Sequence, residues 1–179
     1  ENHYREISGE YLSLGKQTVT QPLEVCKGLF EKYGQDTSAL ESFHANQSSD
    51  YTTRHADNNI NDHDLIQSIS SAKYRCLDIS DYEGADILHD MNCPVPGDLC
   101  ERFDFIFNGS CLDNVWDPAT FLKNTSAMLK PGGRIIHNEA AGSHPGAYLM
   151  LSAQWFFSYY AVNNFTDCKV YVFAGREPG

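Results

Sequence analysis

Residues 103–139, FDFIFNGSCLDNVWDPATFLKNTSAMLKPGGRIIHNE, restrict the fold more than any other stretch of the chain. The apolar run 103–107 stops in a small polar loop at Asn108 and Gly109. Asp117 and Pro118 suit the cap and first position of a helix. Phe121, Leu122, Thr125, Met128 and Leu129 then line one helical face. The turn KPGG ends that helix, and RIIHNEA is a second apolar strand. In a strand–loop–helix–strand unit, the loop at the carboxyl end of the strand is where ligands bind.

The rest of the chain repeats this alternation. EYLSLG (10–15) reads as a short strand ending on Gly15. Pro22 opens a helix carrying Leu23, Cys26, Leu29, Phe30 and Tyr33 on one face, and Gly34 closes it. DHDLIQSIS is a short helix capped by Asp62. AKYRCLDIS is a strand ending near Asp78, and GADILHDMN another ending near Asp90. An aromatic helix starts after Ser152 and stops at Asn163, and CKVYVFAG is a closing strand. Near-continuous apolar strands alternating with helices predict an α/β fold, with a mostly parallel sheet covered by helices on both faces. A chain of 179 residues suits one domain over 1–179. The polar, aperiodic stretch 35–62 reads as an insertion or lid, with a short helix around 38–45.

A net charge of -11 with no Lys/Arg cluster repels phosphate backbones and anionic lipid, so neither nucleic acid nor membrane is an expected partner. No apolar run approaches the roughly 20 residues that span a bilayer. The opening ENHYREISGEYL has no basic region followed by an apolar one, so it does not read as a secretory signal. Cys26, Cys76, Cys93, Cys100, Cys111 and Cys168 show no metal-ligand spacing. They are expected to be reduced and mostly buried, in a cytoplasmic protein with no metal site. The sequons at Asn46, Asn124 and Asn164 carry little weight without a signal.

Small polar and acidic residues recur where strands end: Gly15, Asp78, Asp90, Asn108 with Gly109, and His137 with Asn138 and Glu139. In a parallel sheet these ends share one rim, so residues far apart in sequence converge on one crevice. CLDIS, ADILHDMNCPVP, FDFIFNGSCLDNVWDP and MLKPGGRIIHNE, in this order, resemble the class I S-adenosylmethionine-dependent methyltransferases over roughly residues 8–174. DYEGADILHDMNCPVP, preceded by LSLGKQTV, looks like a methyltransferase-like subgroup of them.

The resemblance implies a Rossmann-like fold and S-adenosylmethionine as cofactor. It implies that Asp78 bonds the ribose hydroxyls, whose two donors match the two oxygens of a carboxylate. By the same resemblance Ile79 covers an adenine face, Asp90 takes the adenine amino group, and Met91 contacts the ring through its main chain. Asn108 and Gly109 pass the methionine portion. The expected acceptor is a small molecule or a saccharide.

Two departures from the family pattern stand out. The first loop, SLGKQTV, has only Gly15 where relatives carry two or three glycines, leaving Lys16, Gln17 and Thr18 to reach the cofactor carboxylate. CLDNV has Asp113 and Asn114 where many relatives carry a His, which leaves His137, Glu139 and His144 as acid–base candidates. Trp155, Phe156, Tyr159 and Tyr160 read as a helix core face, with an acceptor pocket as the alternative. Two rival functions stay open: a degenerate binding or assembly module, and another nucleotide-dependent enzyme, for which the GxGxxG fingerprint is missing.

Overall fold

The computed structural model describes residues 5–17, 19, 21–38, 40, 61–142 and 145–172. Its strands are β1 (Glu10–Leu14), β2 (Lys73–Asp78), β3 (Ile87–Leu88), β4 (Phe103–Gly109) and β5 (Leu129–Asn138). They form one sheet of order β3-β2-β1-β4-β5, and every neighbouring pair is parallel. Among the described residues four α-helices accompany it: α1 (Leu23–Lys32), α2 (Asp62–Ile69), α3 (Pro118–Met128) and α4 (Ala153–Val162). The α/β, Rossmann-like architecture is as expected.

Alternation along the strands decides which helix covers which face. Leu12, Leu14, Leu77 and Ile106 join Phe121, Leu122 and Met128 of α3 and Tyr160 of α4 in the larger core. The intervening residues Tyr11 and Phe105, with Tyr74 and Ala72, pack with Ile66 of α2 in a second cluster. There the Tyr11 ring stacks on Tyr74 at 5.6 Å and on Phe105 at 5.3 Å. Burying a side chain such as Phe105 contributes about 1.5–3 kcal/mol, so both faces are stably covered. The aromatic face of α4 belongs to the larger core: Trp155, Phe156 and Tyr159 pack around it.

Several boundaries differ from expectation. Asn61, not Asp62, caps α2, accepting from the Asp64 N–H at 2.7 Å. Strand β3 holds only Ile87 and Leu88, so Asp90 lies beyond its end. Asn108 and Gly109 are still in strand, paired in register with His137 and Asn138. No loop separates α3 from β5. The register jumps from Phe103↔Leu129 to Phe105↔Arg134, so Lys130–Gly133 bulge out as the turn, with Gly132 at φ +78. Residues 168–172 of the expected closing strand are not in strand, and 173–179 lie outside the described residues.

Residues 41–60, most of the expected lid, lie outside the described residues. Leu40, just before them, is fully buried with Leu23 and packs with Val19, Phe30 and Leu65. All six cysteines are free thiols, but only Cys26 and Cys76 are buried, while Cys93 and Cys100 are exposed. The expectation of mostly buried thiols is therefore corrected: the loops carrying Cys93 and Cys100 are surface loops. Among the described residues no helix is long and apolar enough to cross a membrane.

Candidate functional site

The chain leaves β1 to build β2 and β3 on one side and β4 and β5 on the other. The connections therefore diverge at the carboxyl ends of β1 and β4, which is where an open parallel sheet forms its crevice.

On the β2 side, Gly15 follows β1 at φ +73, and its N–H donates to the Leu77 carbonyl at 2.8 Å. A Cβ built on Gly15 would stand 3.9 Å from Asp78 Oδ2, so the Asp78 carboxylate faces this turn. Asp78 Oδ1 accepts from the Ile79 N–H at 2.6 Å and more weakly from Ser80 at 3.4 Å. Its Oδ2 has no hydrogen-bond partner among the described residues. Ile79 is 67% exposed, an uncovered apolar side chain directly beside that carboxylate.

Asp90 folds back on its own loop. Its Oδ1 accepts from the Asn92 N–H at 2.9 Å and Nδ2 at 2.8 Å, which holds the carboxyl below the usual range. Asn92 Oδ1 in turn accepts from the N–H groups of Trp116 and Asp117. Met91 is buried, and its carbonyl is taken by Asn124 Nδ2 at 3.1 Å. Asn124, buried on α3, also donates to the Cys93 carbonyl at 2.8 Å and accepts from Val95 N–H at 3.1 Å. That one side chain shapes the loop carrying Asp90 and Met91.

The first loop differs most from expectation. Gln17 Nε2 folds back to donate to the Leu14 and Gly15 carbonyls, each at 3.2 Å. A Cβ on Gly109 would stand 2.6 Å from Gln17 Cδ and closer still to Oε1. A side chain at position 109 would have to displace Gln17, so what approaches the Gly109 backbone is the chain's own Gln17. The Gln17 N–H donates to Asp62 Oδ2 at 2.8 Å, which also accepts from the Tyr74 hydroxyl at 2.7 Å. Burial pushes the Asp62 carboxyl up, while these donors and the Lys16 ammonium oppose that shift. Lys16 therefore acts on Asp62. Thr18 lies outside the described residues.

On the β5 side, Asn108 is the hub. It is fully buried, and its Oδ1 accepts from the Cys111 N–H at 3.1 Å. Nδ2 is thereby turned toward β5, where it donates to His137 Nδ1 at 2.8 Å and to Glu139 Oε1. With Nδ1 accepting, His137 Nε2–H donates to the Tyr160 hydroxyl. Burial pushes the imidazole down to about 3, so His137 is neutral and both its nitrogens are engaged.

Glu139 also accepts from the N–H groups of Leu112 at 3.3 Å and Asp113 at 3.1 Å. Burial first, and then the Asp113 carboxylate, push its carboxyl up to about 8 despite these donors. Burial and the charges of Asp78, Glu139 and Asp113 push the Cys111 thiol up to about 12. Asp78, Asp113 and Glu139 therefore share one electrostatic neighbourhood at the ends of β2, β4 and β5. Outside it, the exposed rings of Trp116 and Tyr148 stack at 5.0 Å, and the Tyr148 N–H donates to the Asp113 carbonyl.

Of the expected site residues, Gly15, Asp78, Ile79, Asn108, Gly109, His137 and Glu139 come to this rim. His144 lies outside the described residues. The sequence presents Asp62 only as a helix cap and Asn124 only as part of a sequon; their roles in holding the first loop and the Asp90–Met91 loop depend on partners far off in sequence. Among the described residues no His, Cys, Asp and Glu cluster suits a metal ion. Comparison with known families, with curated proteins and with solved structures returned no match.

Proposed function

We propose that this chain is a cytoplasmic S-adenosylmethionine-dependent methyltransferase acting on a small-molecule or saccharide acceptor. The observation that carries this reading is the Asp78 carboxylate. It ends β2 beside the positive-φ Gly15, with Oδ2 free at the crevice and the uncovered Ile79 next to it. A free carboxylate oxygen next to an apolar surface suits a ribose carrying a base. Asp90 keeps Oδ2 free of hydrogen bonds for an exocyclic amine, and Asn108 with Gly109 lie where the amino-acid end would pass.

When bound, the cofactor supplies an electrophilic methyl group on a cationic sulfur. The Asp78 carboxylate at the rim, with the buried Asp113 behind it, favours a cation there and disfavours a phosphorylated ligand. The chain's own contribution is position and proton control. Neutral His137 holds Asn108, and Asn108 holds Glu139. A carboxyl pushed up to about 8 exists in both forms near neutral pH, so Glu139 takes up the proton that an acceptor hydroxyl or amine releases. The exposed Trp116–Tyr148 stack offers the acceptor a flat apolar surface beside Asp113.

Isothermal titration with S-adenosylhomocysteine tests the reading. Asp78→Ala removes charge-assisted bonds worth about 1.5–3 kcal/mol each. Water recovers part of this, leaving roughly 2–4 kcal/mol, or about 30- to 1,000-fold in affinity. Asp81→Ala, in the following turn, should cost far less. Absence of saturable heat with the wild type would refute the proposal. Gln17 lying over Gly109 favours a second reading, a binding module of the same fold; binding without turnover would support it.

A further inference from the structure

Gln17 is built into the crevice as an occupant. Its backbone is pinned, because its N–H is held at 2.8 Å by the buried Asp62, which is itself fixed by the Tyr74 hydroxyl. The side chain is held less firmly, by two long bonds of 3.2 Å from Nε2 to the carbonyls of Leu14 and Gly15. Oε1 has no hydrogen-bond partner among the described residues and lies against Gly109 on β4. The amide thus bridges the end of β1 to the end of β4, across the point where the strand connections diverge. Asp78 and Ile79 lie to the β2 side of that bridge, and Gln17 does not cover them.

We infer that Gln17 sets how long a nucleoside ligand this crevice admits; the inference rests on the nucleoside reading proposed above. With the amide folded in, Asp78 Oδ2 and the exposed Ile79 are still open to a nucleoside. An amino-acid tail running toward Gly109 meets Gln17 instead of open backbone. Admitting the tail requires the side chain to swing out about its pinned backbone. That movement breaks two neutral hydrogen bonds and gives up one donor to each of the Leu14 and Gly15 carbonyls, the latter still accepting from the Ser13 hydroxyl at 2.8 Å; carbonyl oxygens suit an ammonium group. Gln17 is therefore a specificity-determining residue that discriminates between a nucleoside thioether and the same nucleoside carrying an amino acid.

The test is calorimetric titration of wild type, Gln17→Ala and Gln17→Asn with 5′-methylthioadenosine and S-adenosylhomocysteine, after thermal melts show that all three fold. Two neutral hydrogen bonds no longer broken on binding should tighten S-adenosylhomocysteine about 5- to 100-fold in Gln17→Ala. Gln17→Asn, one methylene too short to cover Gly109, should shift it in the same direction. Affinity for 5′-methylthioadenosine should stay within about twofold throughout. If 5′-methylthioadenosine binds but S-adenosylhomocysteine is unchanged or weaker in the variants, the role of Gln17 is overturned while the nucleoside reading stands. If neither ligand binds any of the three proteins, both fall.

Discussion

Glu139 gives the fold a defined dependence on pH. Its carboxyl is raised from 4.5 to about 8 by burial and by Asp113. Between those values the folded chain holds a proton that the unfolded chain releases, so stability falls as pH rises through this window and the loss is complete above about 8. His137 works in the opposite sense. Its imidazole is lowered from 6.5 to about 3, so the unfolded chain binds the extra proton and stability rises with pH across that range. The two slopes oppose each other between 4.5 and 6.5, and above 6.5 Glu139 acts without His137. Over the remaining pH units up to 8, at about 1.4 kcal/mol per unit, the loss is roughly 2 kcal/mol. Partial exposure of the side chain brings it to about 1–2 kcal/mol. Urea unfolding at pH 6.5 and 8 should show this fall in the wild type. In Glu139→Gln, which keeps an oxygen for Asn108 and Leu112 but cannot titrate, most of the fall should vanish. A wild type equally stable at both values, or a variant that loses as much, would mean that Glu139 is an ordinary ionised carboxylate.

Asn124→Ala removes a buried group bonded to Met91, Cys93 and Val95, and chemical denaturation should report a loss of about 2–4 kcal/mol. Trp116→Ala should cost less than about 1 kcal/mol, since the indole is 82% exposed and, among the described residues, stacks on Tyr148 alone. A thiol reagent should modify Cys93 and Cys100 rapidly in the native protein, and Cys26 and Cys76 only after denaturation; peptide mapping distinguishes them.

Local signals made much of this fold legible. Asp117 caps α3 with Pro118 behind it, as their chemistry demands, and Ser152 caps α4 through the Trp155 N–H. Leu12 and Leu14 on one face and Tyr11 on the other follow the period of a strand. What failed depended on tertiary pairing. KPGG has the composition of a helix stop, yet Met128 ends α3 and Leu129 already pairs with Phe103. Asn108 reads as a loop residue by type, but as the donor to His137 and Glu139 it repays its burial inside β4. Gln17 is a long polar side chain that looks available to a ligand. Only the fold shows that its hydrogens go to Leu14 and Gly15 and that its bulk rests on Gly109.

Among the described residues β5 forms one border of the sheet, and a border strand is a template on which another chain can grow. Here the template is interrupted along its first half. Pro131 has no N–H to offer, and Gly132 turns the backbone out of the extended form. Lys130 is tied to Asp104 at 2.7 Å, and Arg134 is tied to the carbonyls of Arg5 and Glu6. The regular run is Arg134–Asn138. The bulge that brings Phe105 level with Arg134 thus also guards against runaway sheet extension. Straightening it by deleting Pro131, Gly132 and Gly133, the three residues by which β5 outruns β4 there, should turn a contained border into a seed for insoluble assemblies, visible as turbidity at concentrations where the parent chain stays clear.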